Sequence, residues 1–263
     1  MRIVETKREL REALAPARRE ERTIGLVPTM GYLHDGHVAL IEAARSDCDV
    51  VVMSLFVNPA QFGPGEDLES YPRDRDRDVA IAEAAGVDLV YAPSVEEAYP
   101  PGFATSVEVE ELTEVLCGAP GRRGPEHFRG VTTIVAKLFN AVGPDAAYFG
   151  QKDAQQLAVI RRMTADLALG VEIRAVETVR EPDGLALSSR NAYLSPEERR
   201  RAPSLHRALV DRDPSLIEGD VDYLAVVDAD TFAEVDPRPG ALVIGAARFG
   251  STRLIDNIRI EGR

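Results

Sequence analysis

The sequence predicts an α/β fold, a parallel sheet with helices wound on both faces, followed by a smaller C-terminal α+β domain. Three observations carry this. Short β-branched runs alternate with stretches rich in Ala, Leu, Glu and Arg through the first half of the chain. Those runs are apolar throughout rather than alternating, as in strands covered on both sides. Near Arg180 the rhythm gives way to a polar stretch and then to short strands interrupted by Pro237 and Pro239. Domains are therefore expected over residues 1–180 and 181–263.

In chain order, the first helix is expected over 6–19, with Thr6 as N-cap and Glu9 as its capping-box partner. Strands follow at 23–27 (TIGLV), 50–57 (VVVMSLFV) and 87–91 (VDLVY), with helices at 38–45 and at 74–85, the latter ended by Gly86. The alternation continues with a helix at 132–141, a strand at 146–149, a helix at 154–169 and a strand at 171–176. After the polar stretch 181–196, a Glu/Arg-rich helix starts at 196–201. Strands are expected at 221–227, 241–247 and 254–260.

Composition bounds the function. The 263 residues are 44% hydrophobic and 29% charged, an ordinary folded mix, with a formal net charge of −13. Such a balance disfavours nucleic-acid binding and docking to anionic lipid, but not one small anion held by converging basic groups. Cys48 and Cys117 form neither a disulfide scaffold nor a CxxC site. The start, MRIVETKREL, has no apolar signal core, and no run is long enough to span a membrane. The expectation is a soluble cytoplasmic protein.

Four clusters can carry chemistry. The run 28–37 (PTMGYLHDGH) joins a buried strand to a helix, the end of a parallel strand where doubly wound sheets bind ligands. Gly31 and Gly36 allow close backbone approach. The helix start offers free N–H groups to an anion. His34 and His37, two of the chain's four histidines, are three apart and suit a polyphosphate whose leaving group gains charge. A protein-held metal is not expected there, because no third ligand accompanies the pair. In 56–63 (FVNPAQFG), Asn58 and Gln61 are neutral polar groups among apolar ones. A plain loop and a site that recognises substrate hydroxyls or a carboxylate fit this run equally.

The run 148–156 (YFGQKDAQQ) again closes a strand and opens a helix. Lysine is disfavoured at that end of the helix dipole, which tilts Lys152 toward phosphate. Asp153 suits a helix cap, and Gln156 falls one turn in. The run 187–191 (LSSRN) offers two hydroxyls and a guanidinium for phosphate oxygens, although alone it reads better as a Ser-rich loop. The alternating charges of 72–78 read as a solvated helix face. His127 sits in a Gly/Pro-rich loop with no evident role.

Taken together, PTMGYLHDGH, FVNPAQFG, FGQKDAQQ and LSSRN, with STRLIDNI at 251–258, resemble the pantoate–β-alanine ligase family over nearly the whole chain. The resemblance implies a Rossmann-like domain of nucleotidyltransferase type with a small C-terminal lid, and a homodimer. It implies two steps: pantoate attacks the α-phosphate of ATP to give pantoyl adenylate and pyrophosphate, and β-alanine then displaces AMP, with Mg²⁺ accompanying ATP. It assigns catalysis to His37, His34 and Lys152. ATP binding falls to Met30, Gly31, Tyr32, Leu33, His34, Asp35, Gly36 and His37, to Gly150, Gln151, Lys152 and Asp153, and to Val179, Leu187, Ser188, Ser189 and Arg190. Pantoate falls to Gln61, Gln156 and Asn58, and β-alanine to Gln61. Two departures stand out: Gln151 where many relatives carry Glu, and a segment over 202–222 shorter than its counterpart. A transferase that moves a nucleotide onto a phosphorylated acceptor would reuse the histidines but call for further cations. A non-catalytic nucleotide binder would not need the intact H-x-G-H.

Overall fold

A capping box starts the first helix. Thr6 Oγ1 accepts the backbone N–H of Glu9 at 3.2 Å, and Glu9 Oε2 accepts that of Thr6 at 3.1 Å. The structure is a computed structural model and describes residues 1–63, 65–119 and 121–262, so Arg263, the end of the second expected domain, lies outside the described residues.

The chain divides into two compact units. Met1–Leu33, His37–Phe149 and Val159–Val176 form one; His34–Gly36, Gly150–Ala158 and Glu177–Arg263 form the other. The elements run β1 (Arg2–Val4), α1 (Lys7–Arg19), β2 (Ile24–Thr29), α2 (Asp35–Asp47), β3 (Val50–Leu55), α3 (Arg75–Ala84), β4 (Leu89–Tyr91), α4 (Val95–Ala98), α5 (Pro125–Val142), β5 (Ala146–Gly150), α6 (Ala154–Asp166) and β6 (Glu172–Val176). Next come α7 (Pro196–Arg201), α8 (Ser204–Asp211), β7 (Asp220–Val227), β8 (Leu242–Phe249) and β9 (Thr252–Arg259).

The expected α/β class holds. Six parallel strands lie in the order β1-β4-β3-β2-β5-β6. The order reverses between β2 and β5, the switch point at which such sheets bind ligands beyond their carboxyl ends. β2 and β3 are buried along nearly their whole length, as their unbroken apolar runs predicted, whereas edge strand β6 is largely exposed. Val27, Leu33, Ile41, Met53, Val90 and Tyr148 belong to the core of this unit.

The second unit carries an antiparallel three-stranded sheet, β7-β8-β9. Leu205 and Ala208 of α8 share a core with Ala247, Phe249 and Leu254. No described helix is long and apolar enough to cross a membrane.

Several boundaries differ from expectation. β1, α4 and α8 were not anticipated. The helix expected at 132–141 begins seven residues earlier, at Pro125. Proline is favoured at the first helical position because its missing N–H would have no partner there. The helix therefore takes in His127, which is buried, not in a loop.

Candidate active site

In the sheet unit, the turn after β2 is held by a carboxylate from α3. Gly31 and Tyr32 have φ of 87° and 52°, both in the left-handed region. For tyrosine this costs about 1–2 kcal/mol. Asp78, only 2% exposed, offsets it: Oδ2 accepts the N–H of Tyr32 at 2.8 Å and Oδ1 that of Leu33 at 2.7 Å. A Cβ at position 31 would lie 2.8 Å from Asp78 Oδ2 and 2.9 Å from Leu55 Cδ1, so glycine is required for space as well as for φ. The run 72–78 is thus not simply a solvated face. Arg77 does stay outside, with its guanidinium 5.2 Å from the centre of the Tyr32 ring.

Beyond β3, Pro59–Gln61 forms a single 3-10 turn capped by Asn58, whose side chain accepts the N–H of Ala60. Asn58, 1% exposed, donates from Nδ2 to Gln61 Oε1 at 3.0 Å and to Gly130 O at 3.1 Å. Its Oδ1 accepts the Tyr99 hydroxyl at 2.7 Å. Burial pushes the Tyr99 hydroxyl pKa up to about 12. Gln61 is buried, and its amide orientation is set: Oε1 faces Asn58 Nδ2, and Nε2 donates to Met30 Sδ at 3.1 Å. His127 Nδ1 lies 2.8 Å from Gln61 O; since a carbonyl only accepts, the imidazole donates from Nδ1. The first part of α5 packs directly on this turn. A Cβ at Gly130 would overlap the carbonyl of Ala60 and lie 2.6 Å from Gln61 Cα.

This arrangement brings Met30, Asn58 and Gln61 together, with Asn58 also capping the turn as a plain loop would have it. It also adds Asp78, Tyr99 and His127, which sequence reasoning missed. The Pro125 helix start was the available signal for His127, since it places position 127 in the first turn of a buried helix.

In the second unit, residues 34–36 form a local contact: Gly36 N–H donates to His34 Nδ1 at 3.2 Å. A neutral imidazole that accepts at Nδ1 carries its proton on Nε2, which is then a donor. Gln151–Asp153 forms a 3-10 turn with Gly150 at its N-cap. The Lys152 side chain is 18% exposed, and Nζ lies 3.6 Å from Asp153 Oδ2. Lys152 is therefore not a solvated lysine. Gln155 is buried and Gln156 half-buried.

The polar stretch after Arg180 is a tight hairpin. Arg180 bridges Ala186, Glu181 N–H donates to Leu185 O, and Leu187 N–H donates to Val179 O at 3.0 Å. Ser188 then caps a 3-10 turn over Ser189–Tyr193, its hydroxyl accepting Arg190 N–H at 3.3 Å. Lys152, Ser188, His206 and Asp256 line one cleft of about 10 Å³, room for a single water. Among the described residues, no three His, Cys, Asp or Glu side chains gather into a metal-binding group.

The chain is similar to known proteins along its length. The family model described as pantoate-beta-alanine ligase matches residues 2–259. The pantothenate synthetase of Acetivibrio thermocellus is 51% identical over 283 aligned positions, covering 99% of this chain and 100% of that protein. That of Moorella thermoacetica is 53% identical, covering 99% of each. Alignments of 283 positions against 263 residues mean that the relatives carry segments this chain lacks. The solved pantothenate synthetase of Thermus thermophilus superposes with a TM-score of 0.93 at 50% identity, covering all of both chains. The pantoate-beta-alanine ligase of Francisella tularensis, solved with beta-gamma ATP and beta-alanine, superposes at 0.84 with 31% identity, covering 98% of this chain and 97% of that one. With the model matched from Arg2 to Arg259 and the fold shared end to end, the chain belongs to the pantoate–β-alanine ligase family of enzymes.

Proposed function

We propose that the chain condenses pantoate with β-alanine by way of a pantoyl adenylate. In the first step a pantoate carboxylate oxygen bonds to the α-phosphorus of ATP, and the bond to pyrophosphate breaks. In the second the β-alanine amine attacks the acyl carbon, the acyl–phosphate bond breaks, AMP leaves and the amine gives up a proton. The observation that carries this reading is the amide of Gln61. Its oxygen is occupied by Asn58, while its nitrogen meets, among the described residues, the thioether of Met30, a weak acceptor. A carboxylate oxygen is the stronger partner, and an amide receives it without adding like charge.

In this reading Gln61 and Gln156 orient pantoate, Asn58 and Tyr99 hold the Gln61 amide, and Gln61 also meets β-alanine. Residues 30–37 and 150–153, Val179 and residues 187–190 take ATP. His34 donates from Nε2, and together with His37 and Lys152 stabilises the charge growing on pyrophosphate. The tautomer of His34 and the low exposure of Lys152 support these roles. ATP acts as its Mg²⁺ complex. We propose equally that residues 1–180 and 181–263 act as the two functional domains, and that the enzyme is a cytoplasmic homodimer.

The test is isotope exchange between pyrophosphate and ATP. Exchange that requires pantoate but not β-alanine, with AMP and pantothenate formed when all three substrates are present, is the expected result. Exchange that requires β-alanine, or ADP as product, refutes the adenylate route.

A further inference from the structure

We propose that Asn257 is a positioning residue for Lys152, locked in place by Asp256 and Arg180. This rests on the reading of Lys152 as a phosphate contact. Asn257 Nδ2 lies 2.9 Å from Gln151 O and 2.9 Å from Lys152 O. A primary amide has two N–H bonds and serves two acceptors. Those two carbonyls belong to the planar peptide units on either side of the Lys152 Cα. Fixing both planes fixes the backbone dihedrals of Lys152, and hence the direction in which its side chain leaves. Gly150, the N-cap of this turn, has no side chain to do so.

Asn257 is itself immobilised. It is 4% exposed, its backbone N–H donates to Asp256 Oδ1 at 2.7 Å, and its carbonyl accepts Arg180 Nη2 at 3.1 Å. Arg180 grips the Asp256 carboxylate with both nitrogens, Nη1 to Oδ2 at 2.7 Å and Nη2 to Oδ1 at 2.9 Å. His206 Nδ1 stands 3.5 Å from the same Oδ2. Arg180 also donates from Nη1 to Gly184 O, inside the hairpin that leads to Ser188 and Arg190. The network therefore references the Lys152 turn to the hairpin that carries the other proposed phosphate contacts.

The strand does not need this side chain. β9 pairs with β8 through the backbone, Asn257 opposite Ile244, and asparagine is a poor strand former. A buried asparagine in a strand is accounted for by what its amide holds, and here it holds the two peptides of Lys152.

A double-mutant cycle tests this, read as ATP affinity by titration calorimetry and as pantoate-dependent pyrophosphate exchange. Asn257→Ala is expected to weaken ATP binding about tenfold with the KM for pantoate unchanged. In a Lys152→Ala background the same change is expected to cost nothing further, because its effect runs through the lysine. Asn257→Asp, which keeps the size but turns an acceptor toward two carbonyls, is expected to lose at least as much. If the alanine chain does not fold, Asn257→Ser takes its place in the cycle. Losses that multiply independently of Lys152, or an ATP affinity unmoved by Asn257→Ala, overturn the proposal. An unaltered enzyme that binds ATP but makes no pantothenate refutes the function proposed above, while the affinity cycle still decides this one. An unaltered enzyme that does not bind ATP overturns both.

Discussion

Asp78→Asn removes little volume and one charge, and it acts at a single defined place. The carboxylate takes two backbone N–H groups, from Tyr32 at 2.8 Å and from Leu33 at 2.7 Å. An asparagine offers one oxygen and one NH₂, so one of the two N–H groups must face a donor. A hydrogen bond to a charged group is worth about 1.5–3 kcal/mol, and a buried donor left unpaired costs about 1–3 kcal/mol. Reorientation of the amide recovers part of this, which leaves a loss of about 2–4 kcal/mol. For a unit of this size the melting point should fall by about 5–15 °C. The chain has no tryptophan, so unfolding is best followed by circular dichroism. The activity should fall further than stability alone accounts for. The residues after Leu33 are His34 to His37, and a displacement of about 1 Å at a reacting group costs up to about a hundredfold in rate. Pyrophosphate exchange, measured well below the melting point of the variant, should drop by about tenfold or more. The reasoning is refuted if Asp78→Asn melts within about 2 °C of the unaltered enzyme and exchanges at the same rate. Gly31→Ala presses a Cβ on the same carboxylate, so its effect and that of Asp78→Asn should not add.

Tyr99→Phe removes the hydroxyl that Asn58 Oδ1 accepts, and should raise the KM for pantoate severalfold while leaving that for ATP unchanged, as initial-rate kinetics will show. Gln61→Glu places a carboxylate where the acid substrate is proposed to bind. Pantoate use should collapse by about a hundredfold or more, since the change adds like charge and removes the donor; ATP binding, read by calorimetry, should persist. Tyr91 and Tyr99 are both pushed up to about 12 by burial, so the unfolded chain gives up these protons at lower pH than the folded one. Their stabilisation is complete below about pH 10 and is lost as the pH rises toward 12. Urea midpoints measured between those values should fall, and fall less in Tyr91→Phe and Tyr99→Phe. Burial raises the Cys48 thiol pKa, so Cys48 should resist a thiol reagent in the folded enzyme at pH 8 and react once urea is added.

The sheet was legible because its evidence is local. Unbroken runs such as VVVMSLFV report burial on both faces, and Thr6 with Glu9 reports a helix start within four residues. What escaped were short or atypical elements. β1 is three residues long at the sheet edge, too short for any period to show. The N-terminal part of α5 escaped because Pro125 and the glycines at 124 and 130 look like loop punctuation. In the structure Pro125 fills the first helical position, and Gly130 is where the helix lies against the Gln61 turn.

The supporting residues of the site were illegible for a different reason. A buried polar side chain is identified by its partner, and the partners here lie far away in the chain. Asp78 serves Tyr32 and Leu33, His127 serves Gln61, and Asn257 serves Gln151 and Lys152. A linear reading sees Asp78 among alternating charges and Asn257 within a strand. Asp78 then takes the commonest role of its residue type, an exposed face, and Asn257 receives none beyond its strand, because burial without a visible partner would cost several kcal/mol. The residues proposed to meet substrate were found from motifs whose order and spacing the sequence displays. Those that hold them in place were not, since their chemistry exists only once the chain has brought distant peptides within hydrogen-bonding reach. A substitution at Asp78 or Asn257 would look neutral by residue type, yet each removes a side chain that braces its turn from a distant part of the sequence.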